Sequence, residues 1–176
     1  FFPAFFAWAN ANKIVLGINH KFSVFQIIHS YKESFLNVLF GYGPGHTVGK
    51  LGFMLPDYYS LLKDWGATIS PITGNIWSIQ QEHWLTNTIT GSSMWSLFFS
   101  WAGIWGDLGY VGLYVYLAIW FIVYRKICID NTSKYLLITI VIHGLVTQWI
   151  EESAYVLYVM SLIGLRFQEN YASQKK

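Results

Sequence analysis

The stretch from Trp101 to Arg125, WAGIWGDLGYVGLYVYLAIWFIVYR, limits most strongly what this chain can fold into. It begins with two tryptophans and a glycine-punctuated turn that carries one acid, Asp107, and an Arg-Lys pair closes it. Aromatic residues at one end, an uncharged middle and paired cations at the other end are typical of a membrane-spanning helix. At ~1.5 Å per residue the uncharged run from Leu108 to Tyr124 is about 25 Å long, slightly less than the hydrocarbon core of a bilayer.

The composition agrees with a membrane protein. Hydrophobic residues make up 54% of the chain and charged residues 11%, against roughly 25% charged residues in soluble domains. The net charge of +2 and the scattered basic residues give no reason to expect a nucleic-acid partner. The single cysteine, Cys128, excludes an internal disulfide. No Cys/His cluster has zinc spacing, so we expect no metal site.

The charges predict which side of the membrane each end of this helix faces. Arg125 and Lys126 precede a short loop, and further cations lie at the end of the chain, after two more apolar runs. Glu151 and Glu152 lie between those two runs. Because cations are retained on the cytoplasmic side, both cationic segments are expected inside and the two glutamates outside. The alternative is that the last two runs form one kinked helix.

The sequence thus predicts an all-α membrane protein with an interfacial amphipathic helix, a large extracytoplasmic loop with short helices, and about three C-terminal transmembrane helices. The chain begins without Met or a basic leader, so we expect a C-terminal piece of a longer protein and no signal peptide. Five segments follow: an upstream span remnant and connector (1–19), the amphipathic helix (20–40), the outer loop (41–100), the transmembrane helices (101–167) and a cytoplasmic tail (168–176).

The amphipathic helix is predicted from its hydrophobic period. Apolar residues recur at alternating spacings of four and three, at Val24, Ile28, Tyr31, Phe35 and Val38. Such a helix lies on the membrane or on neighbouring spans. Alternatively, its polar face, with His29 and Lys32, borders a substrate cavity.

This helix is expected to end in the glycine turn FGYGPG, residues 40–45, because glycine accepts positive φ and proline cannot continue a helix. Glycines also let backbone N–H groups approach an anion closely. The pattern is neither a P-loop nor a dinucleotide fingerprint, and a simple tight turn is the alternative. His46 and Lys50 follow the turn and add a titratable group and a cation.

The outer loop mixes short helical patterns with turns. One helix is predicted from Pro56 to the stop at Gly66, turn chemistry over residues 70–75, and another helix from Trp77 to Leu85. Aromatic residues interleaved with Gln, Asn, Asp and Thr suit carbohydrate, which offers C–H faces for stacking and hydroxyls for hydrogen bonds. A membrane-surface cap with an ordinary Trp/Tyr belt is the alternative.

Four titratable residues have both a structural and a functional interpretation. His143, inside the second apolar run, is expected to be neutral and hydrogen-bonded between helices, or else functional. Asp107 is expected to cap the N-terminus of its helix. Glu151 and Glu152 are expected to form a solvated cap, unless one of them lines a site and acts as a general base.

At this point the chain resembles the C-terminal portion of O-antigen polymerases and O-antigen ligases, a family of polytopic membrane glycosyltransferases. The helix entering FGYGPG, the long loop, WAGIWGDLGYVGLYVYL and two further apolar runs carry the resemblance over about residues 20–165. Members typically have a G-x-G-x-G turn at the entry to a large periplasmic loop, matched here by Gly41, Gly43 and Gly45. They also have a glycine-rich entry to the following span, matched here by Gly103, Gly106, Gly109 and Gly112.

The resemblance implies polymerisation of surface-polysaccharide repeat units from a polyprenyl-diphosphate-linked oligosaccharide at the outer face of the bacterial inner (cytoplasmic) membrane. It implies no cofactor, because the lipid diphosphate is the leaving group, and a chain-length regulator is a candidate partner. The reaction needs cations for the diphosphate and a base for the acceptor hydroxyl. The residues expected to supply these functions are His46 or His83 as base, Lys21 and Lys50 for diphosphate, and Trp65, Trp77 and Trp84 for sugar stacking.

The chain departs from the family in two ways. Family loops commonly use arginines for the diphosphate, yet no Arg lies between residues 1 and 124. A ligase-type His-Asn pair before the next span is also missing, and residues 92–95 (SSMW) stand there instead. The missing His-Asn pair counts against a ligase more than against a polymerase, and the missing arginines are expected in the N-terminal part of the longer protein. Rival interpretations are a transporter or flippase segment, which would need repeated halves or broken helices facing a midplane site, and a purely structural membrane subunit.

Overall fold

A computed structural model describes residues 11–32, 34–86 and 93–174, and in these ranges the chain is all-helical with no strand. The predicted all-α class is therefore confirmed. The α-helices are α1 (Ala11–Ser30), α2 (Phe35–Phe40), α3 (Lys50–Leu62), α4 (Pro71–Thr86), α5 (Ser100–Lys126), α6 (Asn131–Val146) and α7 (Ser153–Gln174). Short 3₁₀ turns lie at Lys63–Trp65, Ser93–Trp95 and Trp149–Glu151.

The long apolar helix α5 is bent at one residue. Gly109 has φ 66° and ψ −165°, which is not helical and which only glycine adopts readily. The part before the bend is buried, from Ala102 to Asp107, whereas the part after it has an exposed apolar surface. Among the described residues, one segment, Ser93–Lys126, is long and apolar enough to cross a membrane. The three predicted crossings therefore stay a prediction.

Helices α5, α6 and α7 lie antiparallel to their neighbours around a second, C-terminal core. The His143 ring and the Tyr155 hydroxyl meet at 2.7 Å near the α6–α7 connection, and Asn170 reaches Asp130 at 3.4 Å at the other end. The two C-terminal apolar runs are thus separate helices, and the alternative of one kinked helix is wrong. The expected hydrogen bond of His143 between helices is present.

A first core joins α1, α4, the buried part of α5 and the segment before it. Its members with almost no exposed surface are Val24, Ile28, Val48, Ile76, Leu97, Phe98, Phe99 and Ala102. Val24 and Ile28 belong to the predicted apolar stripe of the amphipathic helix. Because these two residues pack against protein, α1 lies on neighbouring helices on that side, whereas Phe35 of the same predicted stripe is 73% exposed in α2.

The structure moves three predicted boundaries. Helix α1 already begins at Ala11, and the predicted helix 20–40 is divided at residues 31–34, because the Ser34 hydroxyl accepts the Asn37 N–H and caps a new helix. Helix α3 begins before Pro56 and includes it. The turn chemistry at 70–75 starts α4, since Ser70 accepts the Thr73 N–H and proline follows it at the first helical position. Residues 1–10 and 87–92 lie outside the described residues.

Candidate functional site

The glycine turn is fastened to the bend in α5. Tyr42 N–H donates to the Gly106 carbonyl at 3.1 Å, and Gly43 N–H donates to the Asp107 carbonyl at 2.9 Å. The bend at Gly109 interrupts the helical hydrogen-bond ladder and makes these carbonyls available to the turn. A Cβ on Gly41 would collide with the main chain of Asp107. Glycine is therefore needed at this contact both for space and for its φ of 74°.

The Asp107 carboxylate is buried, and both of its oxygens accept hydrogen bonds from residues 45–47. One oxygen accepts the Gly45 N–H at 2.8 Å, and the other accepts the Thr47 N–H at 2.9 Å and the Thr47 hydroxyl at 2.6 Å. The prediction that Asp107 caps its own helix is therefore wrong, because its hydrogen bonds go to another segment. The N–H groups expected to cradle an anion bind a carboxylate of the same chain.

Glu151 is the second carboxylate at this turn. Its Oε2 accepts the Lys50 N–H at 2.6 Å, at the N-terminus of α3, where an acid is favourable. A Cβ on Gly49 would lie 2.9 Å from this oxygen and 3.0 Å from Asp107 Oδ2. The two carboxylate oxygens therefore lie within about 6 Å of each other. The predicted solvated cap is wrong for Glu151, whose Oε1 is shielded from solvent.

Burial raises the pKa of the Glu151 carboxyl from 4.5 to about 7. The hydrogen bond from the Lys50 N–H opposes this rise, and the nearby Asp107 carboxylate adds to it. A carboxyl with this pKa exchanges its proton near neutral pH, as a general acid or base must. Glu152, its neighbour, instead pairs with the Lys50 ammonium at 2.7 Å and is partly exposed.

The Asp107 and Glu151 carboxylates line a small cavity of about 220 Å³. Its walls come from the glycine turn, the start of α3 and the bend of α5, including Pro44, Gly45, Leu51 and Leu108. A larger apolar groove of about 710 Å³ lies between α1, α5 and α6, and His29 is among its lining residues. This agrees with the alternative that the polar face of α1 borders a cavity. Lys32, in contrast, places its ammonium over the Trp105 ring at 3.6 Å.

Two of the predicted polar site residues are neighbours of residues that line the small cavity, although neither lines it itself. Lys50 starts α3 and bonds to both glutamates, through its N–H and its ammonium. His46 is exposed in the glycine turn, with Nδ1 3.2 Å from the Pro44 carbonyl. Both remain candidates, although the two acids that line the cavity, Asp107 and Glu151, make it unfavourable for a diphosphate.

The other two predicted polar residues lie elsewhere. The Lys21 ammonium is buried and donates to the carbonyls of Met94 and Val146 at 2.7 and 2.8 Å, and burial lowers its pKa to about 8. It holds three segments together instead of facing a cavity. His83 stacks on His20 with ring centroids 3.7 Å apart. Burial and the charge of His83 lower the pKa of His20 to about 4.

The three predicted sugar-stacking tryptophans do not form one surface. Trp77 packs edge-on against Phe53, Phe98 and Trp84 at 5.4 to 6.0 Å and belongs to the first core. Trp65 is 86% exposed after α3. Trp65 and Trp84 could therefore each contact a ligand, but as separate side chains and not as one stacking surface.

Asp107 and Glu151 lie at the site although the sequence predicts a helix cap for Asp107 and a solvated cap, or alternatively a general base, for Glu151. Each carries a signal: Asp107 is an acid between glycines at the start of an apolar run, and Glu151 follows another apolar run directly. Their proximity depends on residues 45–50, the end of the glycine turn and the start of α3, which contact both across 60 or more residues of chain. Spacing along the sequence does not reveal such a contact.

Comparisons with models of protein families, with curated proteins and with solved structures gave no significant match. The resemblance to O-antigen polymerases therefore stays a prediction. The function has to be argued from the residues around the glycine turn.

Proposed function

We propose that this chain is the C-terminal part of a membrane glycosyltransferase that polymerises polysaccharide repeat units from a polyprenyl-diphosphate-linked donor, with Glu151 as general base. The observation that carries the proposal is the buried Glu151 carboxyl, with its pKa of about 7, at a cavity beside the outer end of α5. An acceptor hydroxyl needs such a base. An O-antigen ligase would use the same chemistry with another acceptor.

The surface of the C-terminal helices supports a membrane setting. Only 22% of the apolar window in Ser93–Lys126 is buried, whereas a core helix of a soluble protein is mostly buried. Large apolar side chains face outward on all three helices, among them Tyr114, Ile119, Phe121 and Ile122 on α5, Ile138 and Ile142 on α6, and Leu157 and Leu165 on α7. A contiguous exposed apolar surface of this kind indicates lipid or a partner protein.

The polar groups lie at opposite ends of these helices. Arg125 and Lys126 end α5, and Asp130 and Asn170 bring the start of α6 and the end of α7 to that same end. Glu151 and the glycine turn lie at the other end. Because cationic ends stay in the cytoplasm, the cavity faces the outer side, where a flipped lipid-linked glycan is presented.

In the proposed reaction the acceptor hydroxyl oxygen attacks the anomeric carbon of the donor sugar. Glu151 takes the hydroxyl proton as the new glycosidic bond forms. The bond between the anomeric carbon and the diphosphate oxygen breaks, and the diphosphate leaves with the electron pair. Asp107 holds the turn and, through its charge, keeps the Glu151 carboxylate basic. The two acids that line this cavity, Asp107 and Glu151, assign it to the acceptor, and the diphosphate to cations outside it.

A transporter or flippase segment is the second candidate, because α5 is a broken helix with an acid beside the break. The position of the break argues against it. The 17 residues after Gly109 in α5 span about 25 Å, close to the full hydrocarbon thickness, so the break lies at the membrane edge. Transporter sites of this type lie near the midplane.

The test compares Glu151→Gln with the matched variant Glu152→Gln in the complete protein, in cells whose own copy is deleted. The measurements are the chain length of surface polysaccharide and the amount of single repeat units on lipid. We expect E151Q to yield single units on the outer face and E152Q to yield long chains. Polysaccharide of normal chain length with E151Q would reject Glu151 as the general base. Lipid-linked units that stay in the cytoplasmic leaflet would favour transport.

A further inference from the structure

Helix α3 has an apolar stripe that no described part of the chain covers. Its residues recur at spacings of three and four, so they lie on one face of the helix. They are Leu51, Met54, Tyr58, Leu61 and, in the 3₁₀ turn that follows, Trp65. Their exposed fractions run from 38% at Met54 to 86% at Trp65. Much of this stripe lines a shallow apolar depression of about 180 Å³.

The opposite face fixes this orientation. Gly52 is buried, and a Cβ there would collide with the Thr47 carbonyl. Phe53 packs edge-on against Trp77 at 5.4 Å and Phe98 at 5.3 Å. Rotating α3 so that its stripe faced inward would therefore remove the packing of Gly52 on Thr47 and of Phe53 on the first core.

The stripe begins at the outer end of the candidate membrane helix. Leu51 and Leu108 line the same cavity, and Leu108 directly precedes the bend of α5. Beyond the bend, Tyr110 and Val111 continue the exposed apolar surface of α5. The stripe of α3 and the outward surface of α5 thus meet at Leu51 and Leu108.

We propose that α3 lies in the outer headgroup region of the bilayer, with this stripe immersed in lipid. Helices with one apolar face bind this region, and Tyr and Trp are enriched there. The charged residues Asp57, Lys63 and Asp64 are exposed and lie off the stripe. The continuity with α5 favours lipid over a partner protein, since the two surfaces would share one boundary.

The consequence concerns the position of the cavity. Lys50, at the first turn of α3, holds Glu151 through its N–H and Glu152 through its ammonium. A helix fixed at the headgroup level would therefore keep these glutamates at the level where the polar part of a lipid-linked sugar lies. This inference rests on the membrane setting proposed above, and does not depend on the catalytic role of Glu151.

The test uses nitroxide labels on the complete protein in vesicles of phosphatidylethanolamine and phosphatidylglycerol. The background replaces Cys128, the one cysteine of these 176 residues, by Ser, together with any cysteine in the rest of the complete protein. Labels are placed at Leu61→Cys on the stripe, at Ser60→Cys off the stripe, about 100° around the same helix, and at Ile119→Cys on the exposed surface of α5. Collision rates with oxygen, which enters lipid, and with a water-soluble nickel chelate are measured.

We expect the Leu61 label to collide several-fold more with oxygen and several-fold less with nickel than the Ser60 label. Equal access of nickel to both labels would overturn the inference. Low collision rates of the Leu61 label with both reagents would also overturn it, in favour of a protein cover, and spin–spin broadening would identify a second copy. If the Ile119 label is exposed to lipid, either of these results for the Leu61 label contradicts only the inference about α3. If the Ile119 label is exposed to water, the proposed membrane setting itself is rejected.

Discussion

Thr47 and Asp107 are joined by two hydrogen bonds across 60 residues of chain, 2.9 Å from the amide and 2.6 Å from the hydroxyl to the same carboxylate oxygen. Both residues are buried. This contact orders the glycine turn, because the turn's N–H groups point at a carboxylate that the bend of α5 presents. The same turn brings Gly49 beside Glu151. The Asp107 carboxylate therefore shapes the candidate site without having to take part in the reaction.

Replacing Thr47 by Val should destabilise the protein, because the buried carboxylate then loses one donor. A lost hydrogen bond to a buried charged group costs about 1.5–3 kcal/mol. Thr47→Ser keeps the hydroxyl and removes one methyl group, so its loss should be smaller. The measurement is the midpoint of thermal unfolding in mild detergent. If T47V were as stable as T47S, the hydroxyl would contribute nothing to the turn.

Replacing Gly109 by Ala should be more damaging than an ordinary helix substitution. Its backbone conformation is nearly restricted to glycine and costs other residues about 1–3 kcal/mol, and a Cβ would also collide with the Leu39 carbonyl. Gly164→Ala is the matched control, since a Cβ on this helical glycine meets nothing within 4 Å. We expect G109A to lower the unfolding midpoint and G164A to preserve or raise it. Equal midpoints would mean that α5 is straight in solution.

The sequence predicts the parts of the fold that depend on local chemistry. The uncharged run between aromatic residues and cations predicts α5, and the glycines of FGYGPG predict where α2 ends. The bend at Gly109 is different, because glycines also recur in ordinary apolar helices. Whether one of them breaks the helix depends on the segment that packs there, here Leu39 and Gly41.

The parts that could not be predicted depend on contacts between distant segments. Lys21 resembles a surface cation in sequence, but it donates to the carbonyls of Met94 and Val146. Asp107 is well placed in the sequence to cap a helix, but its carboxylate accepts the N–H groups of Gly45 and Thr47 instead. Hydrophobic period and capping rules describe one helix at a time, and cannot rank such competing partners.

The stability of the protein should depend on pH through Glu151. Its pKa is about 7 in the folded state and near 4.5 when exposed, so between these values the folded state binds more protons than the unfolded state. Stability therefore falls as pH rises through this window. Two and a half pKa units correspond to at most about 3 kcal/mol.

Glu151→Gln should remove this dependence, because the amide does not titrate. Unfolding midpoints of the unchanged protein, E151Q and E152Q are compared between pH 4.5 and 7, so that titrating groups not coupled to Glu151 cancel in the differences. We expect the unchanged protein and E152Q to lose stability relative to E151Q as pH rises. Polymerisation by the unchanged protein should increase over the same range, since the base must be ionised. Parallel pH curves for all three proteins would show that Glu151 is solvated.

The orientation of the C-terminal helices predicts which residues a membrane-impermeant reagent reaches in intact cells. Lys63 is exposed at the end of α3, on the side of the candidate site, and Lys126 is exposed at the far end of α5. In the C128S background, Lys63→Cys should react with an impermeant maleimide in intact cells, whereas Lys126→Cys should react only after permeabilisation. Cations near the ends of spans stay in the cytoplasm, and this bias gives the expected result. Reaction of K126C but not K63C in intact cells would place the Glu151 cavity in the cytoplasm, where no flipped lipid-linked glycan is presented, and would contradict the proposed polymerisation.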